Sequence, residues 1–143
     1  MIKVSDVRRR LLLTMAQVRA AAGARRDRTR EAAERYAQFL ERVGIPVFRM
    51  VAHALRAEGY PFELSTPEGT VRLSSERSRQ DFFELALDVE ADPPVVLGRA
   101  CHGRGGRVVA VERPVREGVG IADLTDEDVL EFVLAEAGPF VER

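Results

Sequence analysis

Residues 82–115 constrain the fold of this chain most, because they contain three strand-like runs separated by turns. Residues 82–90 alternate apolar and polar side chains, which is the period of a strand with one buried face. Two further runs, at 94–102 and 107–115, are rich in valine, and the glycine-rich residues 102–106 between them suit only a tight turn. Three consecutive strands joined by turns predict an antiparallel β-meander.

Two shorter strands are predicted ahead of these runs, at 61–65 and 70–75, with a turn at residues 65–69. The segments on either side of the five strands have helical patterns. The predicted fold is therefore α+β, with N-terminal helices, a five-stranded antiparallel meander and a C-terminal helix packed on one sheet face. The shared core is predicted to contain Phe48, Val51, Leu55, Phe83, Leu85, Leu87, Val133 and Leu134.

The C-terminal helix has the clearest local signal in the chain. Thr125 and Asp128 are spaced as a capping box, with Asp in place of the usual Glu or Gln. The predicted buried face consists of Leu130, Val133, Leu134 and Ala137, and the Gly138–Pro139 pair is predicted to end the helix.

The N-terminal part carries a heptad seam, in which residues recur at alternating intervals of four and three. The seam consists of Leu11, Met15, Val18, Ala22, Arg25, Thr29, Ala32, Tyr36, Phe39 and Val43. It is polar at residues 25–30, and Gly23 lies just before them. The pattern allows one helix of about 58 Å at 1.5 Å per residue, or two helices that meet near residues 23–28. We expect the break, with Ser5 or Asp6 as the N-terminal cap.

The sequence Gly44-Ile45-Pro46 interrupts the helical pattern, either as a kink or as a new start with Pro46 in the first turn. A second apolar stripe follows, formed by Val47, Phe48, Val51, Ala52 and Leu55. Gly59 is placed as its C-terminal cap.

Length and composition predict a single domain over residues 1–143, with a helical interaction arm at 1–43 and an α+β core at 44–143. The chain contains no run of about 18 apolar residues, and its first residues do not resemble a secretory signal. Cys101, the single cysteine, leaves no intramolecular disulfide and suits a reducing compartment. We therefore expect a cytoplasmic protein.

Charge is distributed unevenly along the chain. Residues 1–56 carry 13 basic and 5 acidic side chains, and residues 57–143 carry 9 basic and 18 acidic ones. The basic residues are 21 Arg and one Lys, which favours a GC-rich, bacterial genome over a specific need for bidentate anion contacts.

No motif in the sequence indicates catalysis, and we predict a non-enzymatic protein without cofactor or metal. Cys101 and His102 are adjacent on a strand, so their side chains point to opposite faces. Their number and spacing, together with His53, do not suit zinc. An enzymatic alternative requires carboxylates and arginines, such as Glu84 or Asp88 with Arg99.

The basic residues of the arm allow three kinds of partner. Anionic groups, above all a nucleic-acid backbone, suit Arg8, Arg9, Arg10, Arg25, Arg26, Arg28 and Arg30. Anionic lipid is the third alternative and the one we favour least. Because the whole chain has a pI near 6.2, we rank protein–protein interaction first and nucleic acid second.

The apolar residues of the arm exceed what one buried helix face needs. Leu11, Leu12 and Leu13 together cover about 200° of a helix at 100° per residue. The surplus predicts a second surface, most simply another copy of the chain in a two-fold dimer, with an unidentified protein partner as the alternative. The predicted contact residues are Leu11, Leu12, Met15, Val18 and Ala22.

Overall fold

A computed structural model describes residues 1–142, which form five strands and four α-helices. The helices are α1 (Val4–Phe39), α2 (Ile45–Ala57), α3 (Asp126–Glu136) and α4 (Gly138–Val141). A π-helical turn (Leu40–Gly44) joins α1 to α2, and a 3₁₀ turn (Ile121–Asp123) precedes α3. The strands are β1 (Phe62–Ser65), β2 (Val71–Ser75), β3 (Phe82–Asp88), β4 (Val95–Arg104) and β5 (Arg107–Pro114).

The five strands form one antiparallel sheet in the order β1-β2-β3-β4-β5, which confirms the predicted α+β fold and its meander. The register places Phe83 of β3 opposite Leu73 on one side and Ala100 on the other. Gly105 and Gly106 form the β4–β5 turn, with φ of +57° and +78°. A two-residue turn of this kind needs positive φ at both positions, which glycine adopts without strain.

The core lies between one face of the sheet and the helices. Phe83 and Leu85 of β3 are almost fully buried there, as is Phe48 of α2. The ring of Phe140 in α4 lies 4.5 Å from that of Phe83, measured between centroids. Because strand side chains alternate, the residues between these, such as Glu84, lie on the opposite face of the sheet.

The predicted helix break at residues 23–28 is wrong, because α1 is continuous from Val4 to Phe39. A glycine in a helix costs only about 1 kcal/mol relative to alanine, and arginine is a good helix former. The polar residues 25–28 and 30 are exposed, so a gap in the apolar seam leaves no buried polar group there. A run of polar residues within an exposed helix therefore does not indicate that the helix ends there.

The predicted N-terminal cap is also wrong. Lys3 occupies the cap position of α1 and makes no side-chain cap hydrogen bond. Asp6 lies within the first turn instead, where its carboxylate accepts a hydrogen bond of 3.0 Å from Arg9. A negative charge in the first turn favours the helix through the helix dipole without acting as a cap.

The backbone remains helical through the Gly44-Ile45-Pro46 sequence. Gly44 and Ile45 have right-handed helical dihedrals, and the wider π turn ends just before Pro46. A proline ring clashes with the carbonyl four residues earlier in a regular α-helix, and a π turn relieves that clash. Gly59, with φ of +90°, follows the end of α2 as predicted.

Most predicted core residues are buried or packed against the core, but Leu134 is not. Its side chain is 64% exposed, whereas Phe132 and Val133 are buried. Leu134 lies about 200° around α3 from Phe132 at 100° per residue, so it points away from the sheet. The helix also ends at Glu136, and Gly138 and Pro139 begin α4 rather than only stopping α3.

The predicted capping box is confirmed at the start of α3. The Thr125 hydroxyl accepts a hydrogen bond from the Asp128 N–H, and the Asp128 carboxylate accepts one from the Thr125 N–H. Arg116 also donates to that carboxylate at 2.9 Å. Burial acts to raise the pKa of Asp128, but these hydrogen bonds outweigh it and hold the pKa below its usual value.

Candidate self-association surface

The first half of α1 is the part of the structure that packs least on the rest of the chain. We call residues 4–22 the free segment; it is about 28 Å long at 1.5 Å per residue. Every side chain from residue 1 to residue 21 is exposed apart from that of Asp6, which is half-buried. Helices in proteins obtain most of their stability from packing an apolar face, and the free segment has no such packing within the described chain.

The predicted contact residues all lie on the free segment. Leu11, Leu12, Met15 and Val18 are between 45% and 63% exposed, and Ala22 is half-buried. Exposed apolar residues also include Val4, Val7 and Leu13 on the same segment. Single exposed apolar residues are ordinary on a protein surface, whereas larger apolar patches are typical of interaction sites, which makes the free segment the candidate surface.

The seam of the free segment continues directly into the part of α1 that packs on the sheet. Ala32, Tyr36 and Phe39, which the heptad spacing places on the seam, are buried in the core. An ideal helix rotates about 20° per heptad relative to this repeat, so the stripe turns by only about 60° between Leu11 and Ala32. One side of α1 therefore faces the chain's own core in its second half and solvent in its first half.

Tyr36 attaches α1 to the sheet. Its hydroxyl donates to the carbonyl oxygen of Gly69 at 2.6 Å and lies 3.3 Å from that of Leu85. Burial, together with the nearby charge of Glu84, raises the pKa of Tyr36 far above its usual value, so the hydroxyl keeps its proton.

The arginines of α1 fall into groups with different surroundings. All seven predicted anion-contact residues are exposed: Arg8, Arg9, Arg10, Arg25, Arg26, Arg28 and Arg30. Four arginines lie within about 40° of one another at 100° per residue, and so form a basic row along one side of α1. The row consists of Arg8, Arg19, Arg26 and Arg30. Arg9 and Arg10 point elsewhere.

Arg25 and Arg28 lie where the free segment reaches the rest of the molecule. Together with Thr29 they line a groove whose other wall is the loop between β3 and β4, with Glu90 and Asp92. In the described part of the chain, neither of these carboxylates forms an ion pair. The sequence did not indicate this acidic loop as part of a site, because more than 60 residues separate it from Arg25.

A row of alternating charges crosses the outer face of the sheet. Glu84 is buried, and its two carboxylate oxygens accept hydrogen bonds from Arg72 at 2.8 Å and from Arg99 at 3.3 Å. Arg99 also donates to Glu112 at 2.6 Å. The structure thus pairs Glu84 with Arg99, as the enzymatic alternative required. Among the described residues, Asp88 forms no ion pair with Arg99. Because both Glu84 oxygens are engaged by guanidinium groups, the row is an arrangement of cross-strand ion pairs rather than of a free base.

Cys101 and His102 lie on opposite faces of β4. Cys101 is buried opposite Phe82 and Ala110, whereas the His102 ring lies 6.0 Å from the ring of Phe140, measured between centroids. Burial raises the pKa of the Cys101 thiol, which disfavours the nucleophilic thiolate.

Residues 1–142 were also compared with the requirements of a metal site and of a membrane-spanning helix. No group of three or more His, Cys, Asp and Glu side chains is arranged to hold a metal ion within these residues. Nor does any helix there combine the length and apolar content needed to cross a bilayer. Comparison with protein-family models, with curated proteins and with solved structures finds no match for this chain.

Proposed function

We propose that this protein is a non-enzymatic interaction module that self-associates through the free segment of α1. The observation that carries the proposal is the exposed apolar seam, which continues a stripe already used for packing in the second half of the same helix. A heptad repeat is matched best by another helix with the same repeat, and a second copy of the chain supplies one. The proposed assembly is a homodimer.

The energetic case rests on the apolar side chains that a dimer covers. Fully burying one leucine, valine or methionine side chain contributes about 1.5–3 kcal/mol. Leu11, Met15 and Val18 from each copy supply six such side chains, and because each is only 45–63% exposed, a dimer gains about half of this contribution. Their burial opposes the association entropy of about 4–15 kcal/mol, and it also stabilises a helical segment that lacks packing within its own chain.

The remaining features of the proposed function follow from the same residues. Self-association requires no cofactor or metal, and none is proposed. The single buried Cys101 suits a reducing compartment, so we place the dimer in the cytoplasm. The excess of Arg over Lys favours a bacterial source. A different protein that carries a complementary helix is the alternative occupant of the seam.

Light scattering coupled to gel filtration tests the proposal. The full chain at tens of micromolar is expected to have the mass of a dimer. The double substitution L11E/V18E places charges in the seam and is expected to yield a monomer whose core unfolds at the same urea concentration as that of the unsubstituted chain. The matched control is Leu13→Glu, because Leu13 is as exposed as Leu11 but lies about 200° around the helix.

Two results would contradict self-association. One is a monomer for the unsubstituted chain at tens of micromolar. The other is an equal loss of dimer in L11E/V18E and in Leu13→Glu, because that result means general destabilisation of α1 rather than a specific seam. If the chain is a monomer but binds another protein only when the seam is intact, the result supports the alternative, in which a different protein covers the seam.

Nucleic-acid binding is the second candidate function, and the basic row formed by Arg8, Arg19, Arg26 and Arg30 favours it. Four phosphate contacts predict a loss of affinity of about 100-fold between 50 and 200 mM salt. Fluorescence anisotropy with a labelled duplex at these two salt concentrations measures that loss. Replacing the row with glutamine is expected to abolish binding. The control replaces four exposed arginines outside the row with glutamine, and so removes the same number of charges. These are Arg42, Arg49, Arg104 and Arg107.

A further inference from the structure

We infer that the two free segments pair antiparallel, in the register that places Leu11 of one copy against Met15 of the other. This inference rests on the proposed function. In this register the numbers of facing residues add up to 26, so Val4 faces Ala22 and Arg8 faces Val18 of the partner copy. The seam has two kinds of heptad position, a and d. Each pair joins an a position of one copy to a d position of the other, as an antiparallel pair of helices requires.

Charge within the seam favours the antiparallel arrangement. Extending the heptad spacing toward the N-terminus places Arg8 and Val4 on the seam, and Arg25 lies on it beyond Ala22. A parallel, in-register dimer therefore places Arg8 against Arg8 and Arg25 against Arg25. The antiparallel register instead places Arg8 against Val18, and it separates the two Arg25 residues by 24 positions, about 36 Å at 1.5 Å per residue. It also sets the two helix dipoles in opposite directions.

The position of the folded core favours the same arrangement. From Ala32 onward the seam is covered by the chain's own core, and Thr29 is already half-buried. A parallel partner helix continues along the seam into this occupied region. An antiparallel partner instead pairs residues 4–22 of one copy with residues 4–22 of the other and runs away from this occupied region.

Electrostatic complementarity at the end of the seam supplies a third, independent argument. The antiparallel register brings Lys3 of one copy to the point where the free segment of the other copy meets its folded core. The groove there has Arg25 and Arg28 on one wall and Glu90 and Asp92 on the other, and these two carboxylates form no ion pair among the described residues. Lys3 of each copy thus lies near the acidic loop of the other, twice per dimer. Such contacts specify orientation and register more than they add affinity.

Disulfide trapping in the full-length chain tests orientation and register separately from self-association. The native cysteine is first removed with Cys101→Ala, and Val4→Cys and Ala22→Cys are made as separate variants. One variant carries a mass tag, so that linked species can be distinguished. In the proposed register, positions 4 and 22 of different copies are neighbours. Two copies of position 4, or of position 22, are 18 residues apart, about 27 Å at 1.5 Å per residue and far beyond disulfide reach.

Mild oxidation of the mixed variants is expected to produce the mixed disulfide dimer, at least tenfold above either variant linked to itself. Efficient self-linking of each variant alone means a parallel dimer and overturns the inference while leaving self-association intact. A dimer by light scattering without any linked product overturns the register. A monomer by light scattering overturns the proposed function and this inference with it.

Discussion

Gly98 of β4 lies directly beneath the ring of Phe132 of α3. A Cβ atom built on Gly98 is 2.6 Å from the nearest ring carbons, a separation that real Cβ contacts do not show. The same ring also contacts Arg113, the residue paired with Gly98 on β5, whose guanidinium lies 4.8 Å from the ring centroid. The absence of a side chain at position 98 is therefore what allows α3 to approach the sheet.

Gly98→Ala is expected to destabilise the fold by about 1–3 kcal/mol, because the ring has to move within a packed core. Urea unfolding followed by circular dichroism measures the change. Gly138→Ala is the matched control, since a Cβ there meets nothing within 4 Å and φ is not positive. We expect this control to be neutral or slightly stabilising, and similar losses in the two variants would contradict the packing at Gly98.

Tyr36→Phe is expected to lower the free energy of unfolding by about 0.5–1.5 kcal/mol, because the carbonyls of Gly69 and Leu85 lose their donor. The raised pKa of Tyr36 means that its contribution is fully present below pH 10 and declines as pH rises above that value. The difference between wild type and Tyr36→Phe should therefore shrink in alkaline urea titrations. Tyr60→Phe, which removes an exposed hydrogen bond to Val141, should cost less, and an equal cost would argue against this account.

Asp128→Ala is expected to destabilise the protein by about 1–2 kcal/mol at neutral pH, through loss of the capping box. Because the folded-state pKa of Asp128 is lowered, its contribution is present above the usual value of 3.8 and is lost as pH falls through the folded-state pKa. Unfolding measured from pH 7 down to pH 2 should therefore show wild type and variant converge. Glu127→Ala, an exposed first-turn carboxylate outside the box, should show a smaller effect at neutral pH.

The double substitution E90Q/D92N is expected to weaken the dimer about two- to fivefold at 50 mM salt, the range for exposed charge pairs. The effect should nearly disappear at about 1 M salt, where the Debye length is about 3 Å. Sedimentation equilibrium measures the dissociation constants. E63Q/E117Q changes the net charge equally at exposed sites outside the groove. If the control weakens the dimer as much, the contribution comes from overall charge and not from the acidic loop.

Local signals in the sequence predicted the sheet and α3 well. The alternation in residues 82–88, the Gly105–Gly106 turn and the Thr125–Asp128 box each depend on a few adjacent residues. The error at residues 23–28 has a different origin. There, the loss of apolar spacing predicts the end of a helix. The spacing of apolar residues, however, indicates only which face of a helix is packed, and not where the helix ends. A helix that extends beyond the folded core keeps its backbone hydrogen bonds, because these form within the helix and need no packed apolar face.

The tertiary parts of the site could not be predicted in the same way. Glu84, Arg99 and Glu112 form one row only because strand register aligns three separate strands, and a shift of one residue would place them on different faces. The groove between Arg25 and Glu90 depends on where α1 crosses the sheet, which no local pattern specifies. The apolar seam itself was visible, because heptad spacing is a property of consecutive residues.

The π turn between α1 and α2 has a consequence for the geometry of the proposed dimer. Because the backbone stays helical from Val4 to Ala57, no flexible loop lies between the free segment and the packed core. In the antiparallel dimer, the two Thr29 positions are then 32 residues apart along the paired helices, about 48 Å at 1.5 Å per residue. Inserting one heptad in the free segment should increase that spacing by about 10 Å. In the proposed dimer, the length of α1 therefore sets the distance between the two sheets, and with it any surface that they present together to other molecules.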